Sequence, residues 1–268
     1  MKMTNIVASI IATFGIISTA NAAELTYSVG GGVYKETYRE KDTDGSAFMK
    51  EEANMASLNG RVRWAPGNQE HAVTVFAEYA RGNSDYTGAY QGKPYGSLTL
   101  DNLSRSKVVL GVDYVITWPE LAGIQTGVGL TYRQLTDRLD EGGVGGYKRV
   151  NDLSVANFSV ARSYLVGNVL ATPRVGVNYL VNGRQYSYVL TNGGKVRNKQ
   201  DEGYGYYVEV DTTWALQGNT SVTVTPYWRQ MNIAKSDVVA VTSGNTLVGL
   251  SEPKNITREL GVSVRYNF

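Results

Sequence analysis

Counting back from Phe268, the residues Tyr266, Val264, Val262 and Leu260 fall on one face of an extended chain, while Asn267, Arg265, Ser263, Gly261 and Glu259 fall on the other. Period-two alternation is the signature of a strand with one face in oil and one in water, because successive side chains of a strand point to opposite faces. The same split recurs in VTVTPYW, where Val222, Val224, Pro226 and Trp228 oppose Thr223, Thr225 and Tyr227. It recurs again in YYVEVDTTW and in VVLGVDYVITW. Helical periodicity would scatter these residues around an axis.

Segments of this kind lie near 25–37, 53–64, 72–81, 104–118, 124–135, 152–164, 169–183, 203–216, 220–233 and 256–268. Most are ten residues or longer, beyond the five or six usual for soluble sheets and suited to tilted strands that cross a bilayer. The apolar phase of 152–164 slips between Val155 and Phe158, which predicts a bulge or a shifted boundary there. Short connections (APGNQEH, PELAG, VGN, QGN) alternate with long ones (KDTDGSAFMKEEA, GNSDYTGAYQGKPYGSLTLDN, DEGGVGGYK, TNGGKVRNKQDE, KSDVVAVTSGNTLVGLSEPK). The fold expected is all-β: a transmembrane antiparallel up-and-down β-barrel of about ten strands, with short periplasmic turns and long external loops. Closure is obligatory, since lipid offers no partner to an open strand edge.

The first stretch supports export. Lys2 precedes an apolar run from Ile6 to Ile17 and then Ala20-Asn21-Ala22, the small-x-small pattern of a signal-peptidase site. The run is too short to span a bilayer, which takes about 20 residues. The chain therefore divides into a signal peptide, 1–22, and an outer-membrane barrel, 23–268, placed in the outer membrane of a Gram-negative bacterium among its lipid and lipopolysaccharide. With no cysteine there is no disulfide or thiolate metal site. Trp64, Trp118, Tyr164, Trp214 and Phe268 each end a strand running toward a short turn or toward the last residue, which predicts an aromatic girdle at the periplasmic rim. A net charge of +2 without a basic block argues against a nucleic-acid partner.

Alternation puts Arg61, Arg63, Glu78, Lys107, Asp113, Arg133, Arg174, Glu209, Asp211, Arg229, Glu259 and Arg265 inside the barrel. A lumen of about ten strands is narrow, and charges of both signs there are expected to pair, because unpaired charge in a confined space is costly. Catalysis by a general base has little to work with. His71 is the one histidine, it lies in a short periplasmic turn, and no second histidine supports a zinc site. The carboxylate pairs Glu51-Glu52 and Asp140-Glu141 fall in charged loops and are expected to be solvated. No enzyme activity, cofactor or metal is expected. The external loops interleave bases with tyrosines, a mixture suited to anionic glycans through ion pairs and ring contacts. The candidate ligand residues are Lys93, Arg138, Lys148, Arg149, Arg184, Lys195, Arg197 and Lys199, with GGKVRNK the most basic short piece.

The stretch from TPYWRQ through VTSGNTLVGLSEPKNITRELGVSVRYNF resembles the end of the Opc family of ten-stranded outer-membrane adhesins and invasins. Pro253-Lys254, Ile256 and Arg258-Glu259 before Gly261 carry that similarity, and AFMKEEA in the first long connection is a fainter echo. The resemblance implies a lumen blocked by side chains and loops, with external loops that bind sulfated or sialylated glycans and matrix proteins on host cells. Omptin proteases share the strand number, but their catalytic aspartates and histidine have no counterpart in this sequence. Two functions are therefore expected to compete: an adhesin for acidic host glycans or matrix proteins, and a narrow diffusion channel for small solutes, acidic ones included. A purely structural component of the membrane is a third.

Overall fold

The computed structural model describes residues 24–42, 44–67, 69–90, 92–143, 146–189, 194–243 and 246–268; the segment 1–22 expected to be a signal lies outside them. Ten strands close the barrel: β1 (Glu24–Lys41), β2 (Ala47–Ala65), β3 (His71–Gly88), β4 (Leu98–Trp118), β5 (Ile124–Arg138), β6 (Lys148–Arg162), β8 (Val169–Ser187), β10 (Gly203–Ala215), β11 (Ser221–Ile233) and β14 (Lys254–Asn267). Each pairs antiparallel with its neighbours, and the ladders β1–β14 and β10–β8 shut the ring. Four short strands decorate it: β7 (Tyr164–Val166), β9 (Val196–Gln200), β12 (Val239–Ser243) and β13 (Thr246–Leu250). β7 and β9 pair with β8, while β12 and β13 form a separate hairpin.

The expected faces are the observed ones. Leu260, Val262, Val264, Tyr266 and Phe268 are exposed on the outer wall, whereas Glu259 and Arg265 are buried inside. On β1 the outward residues Leu25, Tyr27, Val29 and Val33 are exposed and apolar. At about 3.3 Å per residue this stretch runs about 26 Å along the strand, which at a tilt of about 40° covers about 20 Å of an apolar band about 25 Å tall. The five rim aromatics lie where expected, at the end of the short turns, with Phe268 stacked between Tyr27 and Tyr266 at 6.0 and 5.9 Å. A second set, Tyr79, Tyr132, Tyr179, Tyr206 and Trp228, marks the upper edge of the band on the outer wall. Tyr206 and Trp228 touch at 5.4 Å between ring centroids. The short turns use glycine where the chain must reverse: Gly167 and Gly218 sit at φ +63° and +72°, a region costly for residues with a Cβ.

One expectation needs correction. The long connections are largely strand: β2 begins at Ala47, β3 runs on to Gly88 and β4 begins at Leu98, so the barrel continues well above the apolar band. There the outward residues are Lys35, Thr37 and Arg39 on β1 and Lys50, Glu52 and Asn54 on β2. With water on the outside, the outward member of each alternating pair is polar although the backbone stays paired, while Tyr34, Tyr38, Met49, Ala53 and Met55 turn inward and are buried. The bulge expected near Val155 is present in the ladder of β6 with β8. Val155 still faces in and Phe158 out, and the irregularity is an extra residue on β8, where Ser154 opposes Asn182 and Val155 opposes Leu180.

The lumen is filled in two layers. In the lower one, within the band, Lys107 binds Glu259 at 2.8 Å and Glu78 at 3.7 Å. Arg174 binds Glu209 at 2.7 Å and Arg265 binds Asp211 at 2.7 Å, while Arg229 lies 3.6 Å from Glu209 and 3.8 Å from Glu259. Asp113 accepts a hydrogen bond from Asn157 at 3.3 Å. Arg61, Arg63 and Arg133 also face inward and form no ion pair among the described residues.

The upper layer was not foreseen. Arg105 binds Glu36, Glu51 and Asp137, the second at 2.8 Å, and Arg149 binds Asp137, Glu51 and Glu40 at 2.9, 2.9 and 3.0 Å. Ser84 and Tyr38 donate to Glu51 and Glu40 at 2.6 and 2.7 Å. All six charged residues are at most 3% exposed, so Glu51 is a lumen ligand and not a solvated loop acid. Only its neighbour Glu52, on the outer face, meets solvent and pairs with Lys35 and Lys50. Apolar clusters pack around this network: Leu153, Leu180, Met231 and Ile233 on one side, Leu98, Leu100, Leu103 and Leu139 on another.

Candidate functional site: a lysine and tyrosine wall above the bilayer

Above the apolar band β5, β6, β8 and β9 lie side by side, and their pairing sets outward residues in three rungs. Gln134 opposes Asp152, which opposes Arg184, which opposes Lys199. One rung up, Thr136, Val150, Tyr186 and Arg197 follow one another in the same way. In the third, Arg138 opposes Lys148, whose carbonyl accepts the Tyr188 amide at 3.0 Å, and Lys195 adjoins β9. The alternation that hides Asn151, Gln185 and Asn198 in the lumen turns these bases outward.

The side chains converge on two rings. Lys195 Nζ lies 4.3 Å from the Tyr186 centroid and 5.8 Å from that of Tyr188, and Lys148 Nζ lies 5.3 Å from Tyr188. Lys148, Arg184, Lys195 and Arg197 form no ion pair among the described residues, and the Nε of Arg184 is buried without a hydrogen-bond partner. The remaining bases of the wall are already answered. Arg138 binds Asp140 at 2.9 Å and Glu141 at 3.6 Å, and its hydrogen bond holds the Asp140 carboxyl below the usual carboxylate range. Lys199 binds Asp201 at 2.7 Å. Within the wall, the bases without an ion pair among the described residues therefore stand around Tyr186 and Tyr188.

Two of the eight candidates lie elsewhere. Lys93 is exposed on the connection between β3 and β4, with its amide bonded to the Tyr90 carbonyl at 2.9 Å, and it is not part of the wall. Arg149, expected as a loop ligand, is a correction. It is 2% exposed and points into the lumen, because it neighbours the outward Lys148 and strand neighbours face opposite ways. Tyr186 and Tyr188 could be read only as loop tyrosines; the pairing of β6, β8 and β9 makes them a surface. His71 opens β3 on the outer face at the periplasmic end. Its Nδ1 lies 2.8 Å from the Tyr114 hydroxyl and its ring stacks on that tyrosine, far along the barrel from the wall.

No family model and no curated protein matches the chain. Its structure is similar to the outer membrane protease OmpT from Escherichia coli, with a TM-score of 0.57 and 12% identity over 95% of this chain and 99% of that one. Neisserial surface protein A (TM-score 0.34, 12% identity, 91% and 98% covered) and the outer membrane protein AlkL (0.38, 15%, 94% and 93%) are more remote. The likeness to OmpT is one of fold. The chain is a closed ten-stranded barrel of the Gram-negative outer membrane, with that membrane's lipid as its surroundings.

Proposed function

We propose that this barrel is an adhesin of the Opc type, which binds acidic glycans of a host surface, or matrix proteins that carry them, through the wall around Tyr186 and Tyr188. One observation carries the proposal: Lys148, Lys195, Arg184 and Arg197 stand together beside two tyrosine rings with no carboxylate paired to them among the described residues. Unpaired cations on a rigid sheet bind sulfate or carboxylate without having to break an internal ion pair. Tyrosine faces next to them suit the flat faces of sugar rings. The upper layer of the lumen, packed with leucines and a six-member ion network, favours binding at the outside over passage through the inside. The barrel is assigned no catalytic role, since its single histidine sits at the opposite end from the wall.

The test is retention on immobilised heparin and on sialylated glycans. Purified barrel in detergent is expected to bind at low salt and to elute as salt screens the contact. A triple change of Lys148, Lys195 and Arg197 to Gln is expected to weaken binding roughly tenfold, since three exposed ion pairs of a few tenths to 1 kcal/mol each sum to about 1.4 kcal/mol. Failure of the wild-type barrel to bind either matrix at low salt would discard the adhesin.

A further inference from the structure

Inside the apolar band, under the packed upper layer, the lumen holds a cavity of about 260 Å3. Five basic side chains and three acidic ones line it. Lys107, Arg174 and Arg229 are taken up by Glu259 and Glu209. Arg61 and Arg133 also line the cavity and have no carboxylate within ion-pair distance among the described residues. The Nε of Arg133 is buried without a hydrogen-bond partner, and Arg61 has the Phe76 ring beneath it at 5.9 Å. The third acid, Asp113, accepts a hydrogen bond from the neutral Asn157 amide, and its charge offsets only one of the two unpaired arginines.

Surplus cations at this depth are costly, because the bilayer around the wall cannot solvate them and confined charge must be matched locally. Guanidinium groups match tetrahedral oxyanions and carboxylates through paired N–H donors. The two ends of the cavity differ. Above it, Leu135 and Leu180 are at most 2% exposed and Arg105 1%, which closes the lumen toward the outside. Below it, the inward residues Ser28, Arg63, Thr213 and Asn267 are half-buried, beside the small, buried Ala65, Ala72 and Ala161.

We propose that the cavity is a blind site for a small doubly charged oxyanion of the sulfate or phosphate kind, reached from the periplasm and held by Arg61 and Arg133. The volume allows for the anion with a few waters, each of which takes about 30 Å3 in the liquid. Such a site is separate from the glycan wall, which lies on the outer face and above the band.

Isothermal titration of detergent-solubilised barrel with sodium sulfate, in chloride buffer of constant ionic strength, tests it. The wild-type barrel is expected to show saturable binding of one sulfate, and Arg133→Gln and Arg61→Gln are each expected to weaken it at least tenfold while heat-modifiable mobility shows the barrel still folded. The wall triple variant is expected to bind sulfate as wild type does, and Arg133→Gln to bind heparin as wild type does, so the two sites stand or fall independently. No saturable heat from the wild type, or equal affinity in the lumen variants, overturns the site. Planar-bilayer recordings complete the test: silence accords with a blind pocket, and stable unitary steps overturn it.

Discussion

The lower and upper halves of this barrel enclose different interiors. Below the level of Val33 the lumen is polar, holds a cavity and carries more bases than acids. Above that level it is packed with leucine, methionine and tyrosine, and its buried acids, Glu36, Glu40, Glu51, Asp137 and Glu252, outnumber its cations, Arg105 and Arg149. The reason lies outside the wall. Where lipid covers the outer face, the apolar residues of each strand are spent there and the inner face is left polar. Where water covers it, the apolar residues can turn inward and build a core of the ordinary soluble kind. One barrel thus has a membrane half stabilised by its surroundings and an extramembrane half stabilised by its contents.

The comparison breaks most visibly at Arg105. Replacing Arg105 with Met leaves Glu36, Glu51 and Asp137 buried around one remaining cation, and is expected to cost about 3–5 kcal/mol in denaturant unfolding of the barrel in detergent. Arg61→Met, which removes a cation with no acid partner, is expected to cost far less; equal losses would show that the halves do not differ as described. Next in size is Leu153→Ala. A cavity opened against Leu180, Met231 and Ile233 is expected to cost about 2–5 kcal/mol and to speed proteolysis of the external connections.

Acidity sharpens the contrast further. Burial above all pushes the Glu40 carboxyl up to about 7, with nearby Glu252 and Glu51 adding to the rise while Arg149 and the Tyr38 hydroxyl oppose it. A carboxyl raised in the folded state contributes stability that is complete below about 4.5 and is lost as pH climbs through about 7. The upper half is therefore expected to become more stable as pH falls from 8 to 5, measured by resistance of the external connections to protease. Glu40→Gln is expected to flatten that dependence, and an unchanged slope would remove Glu40 as its source. The smallest effect belongs to the exposed pair on the outer wall: Arg138→Gln, which loses Asp140, is expected to change stability by under about 1 kcal/mol.

How much could be read beforehand follows the same division. Every barrel strand was legible where it crosses lipid, as Leu260, Val262 and Val264 illustrate, because the bilayer imposes one rule on the outer face. The charges from Arg61 to Arg265 follow the same parity along their strands. Above the band the rule lapses. In AFMKEEANM the outward Lys50, Glu52 and Asn54 and the inward Glu51 are all polar, so the segment reads as a loop although it is paired strand. The wall suffered likewise: Lys148 and Arg149 are adjacent bases in the chain, and nothing local separates the exposed one from the buried one.

Alternation along the chain by itself determined a closed barrel, its strand count, its lipid face and the sign of charge lining its lower lumen, since each depends only on which side of one strand a residue takes. Which residues meet across the lumen or along the wall was decided by the tertiary structure alone. Arg105 and Glu36 are 69 positions apart, and Arg149 and Glu40 are 109 apart. Lys195 reaches Tyr186 only because β9 pairs with β8. Register and closure bring such distant residues together, and neither is written in any short stretch of sequence.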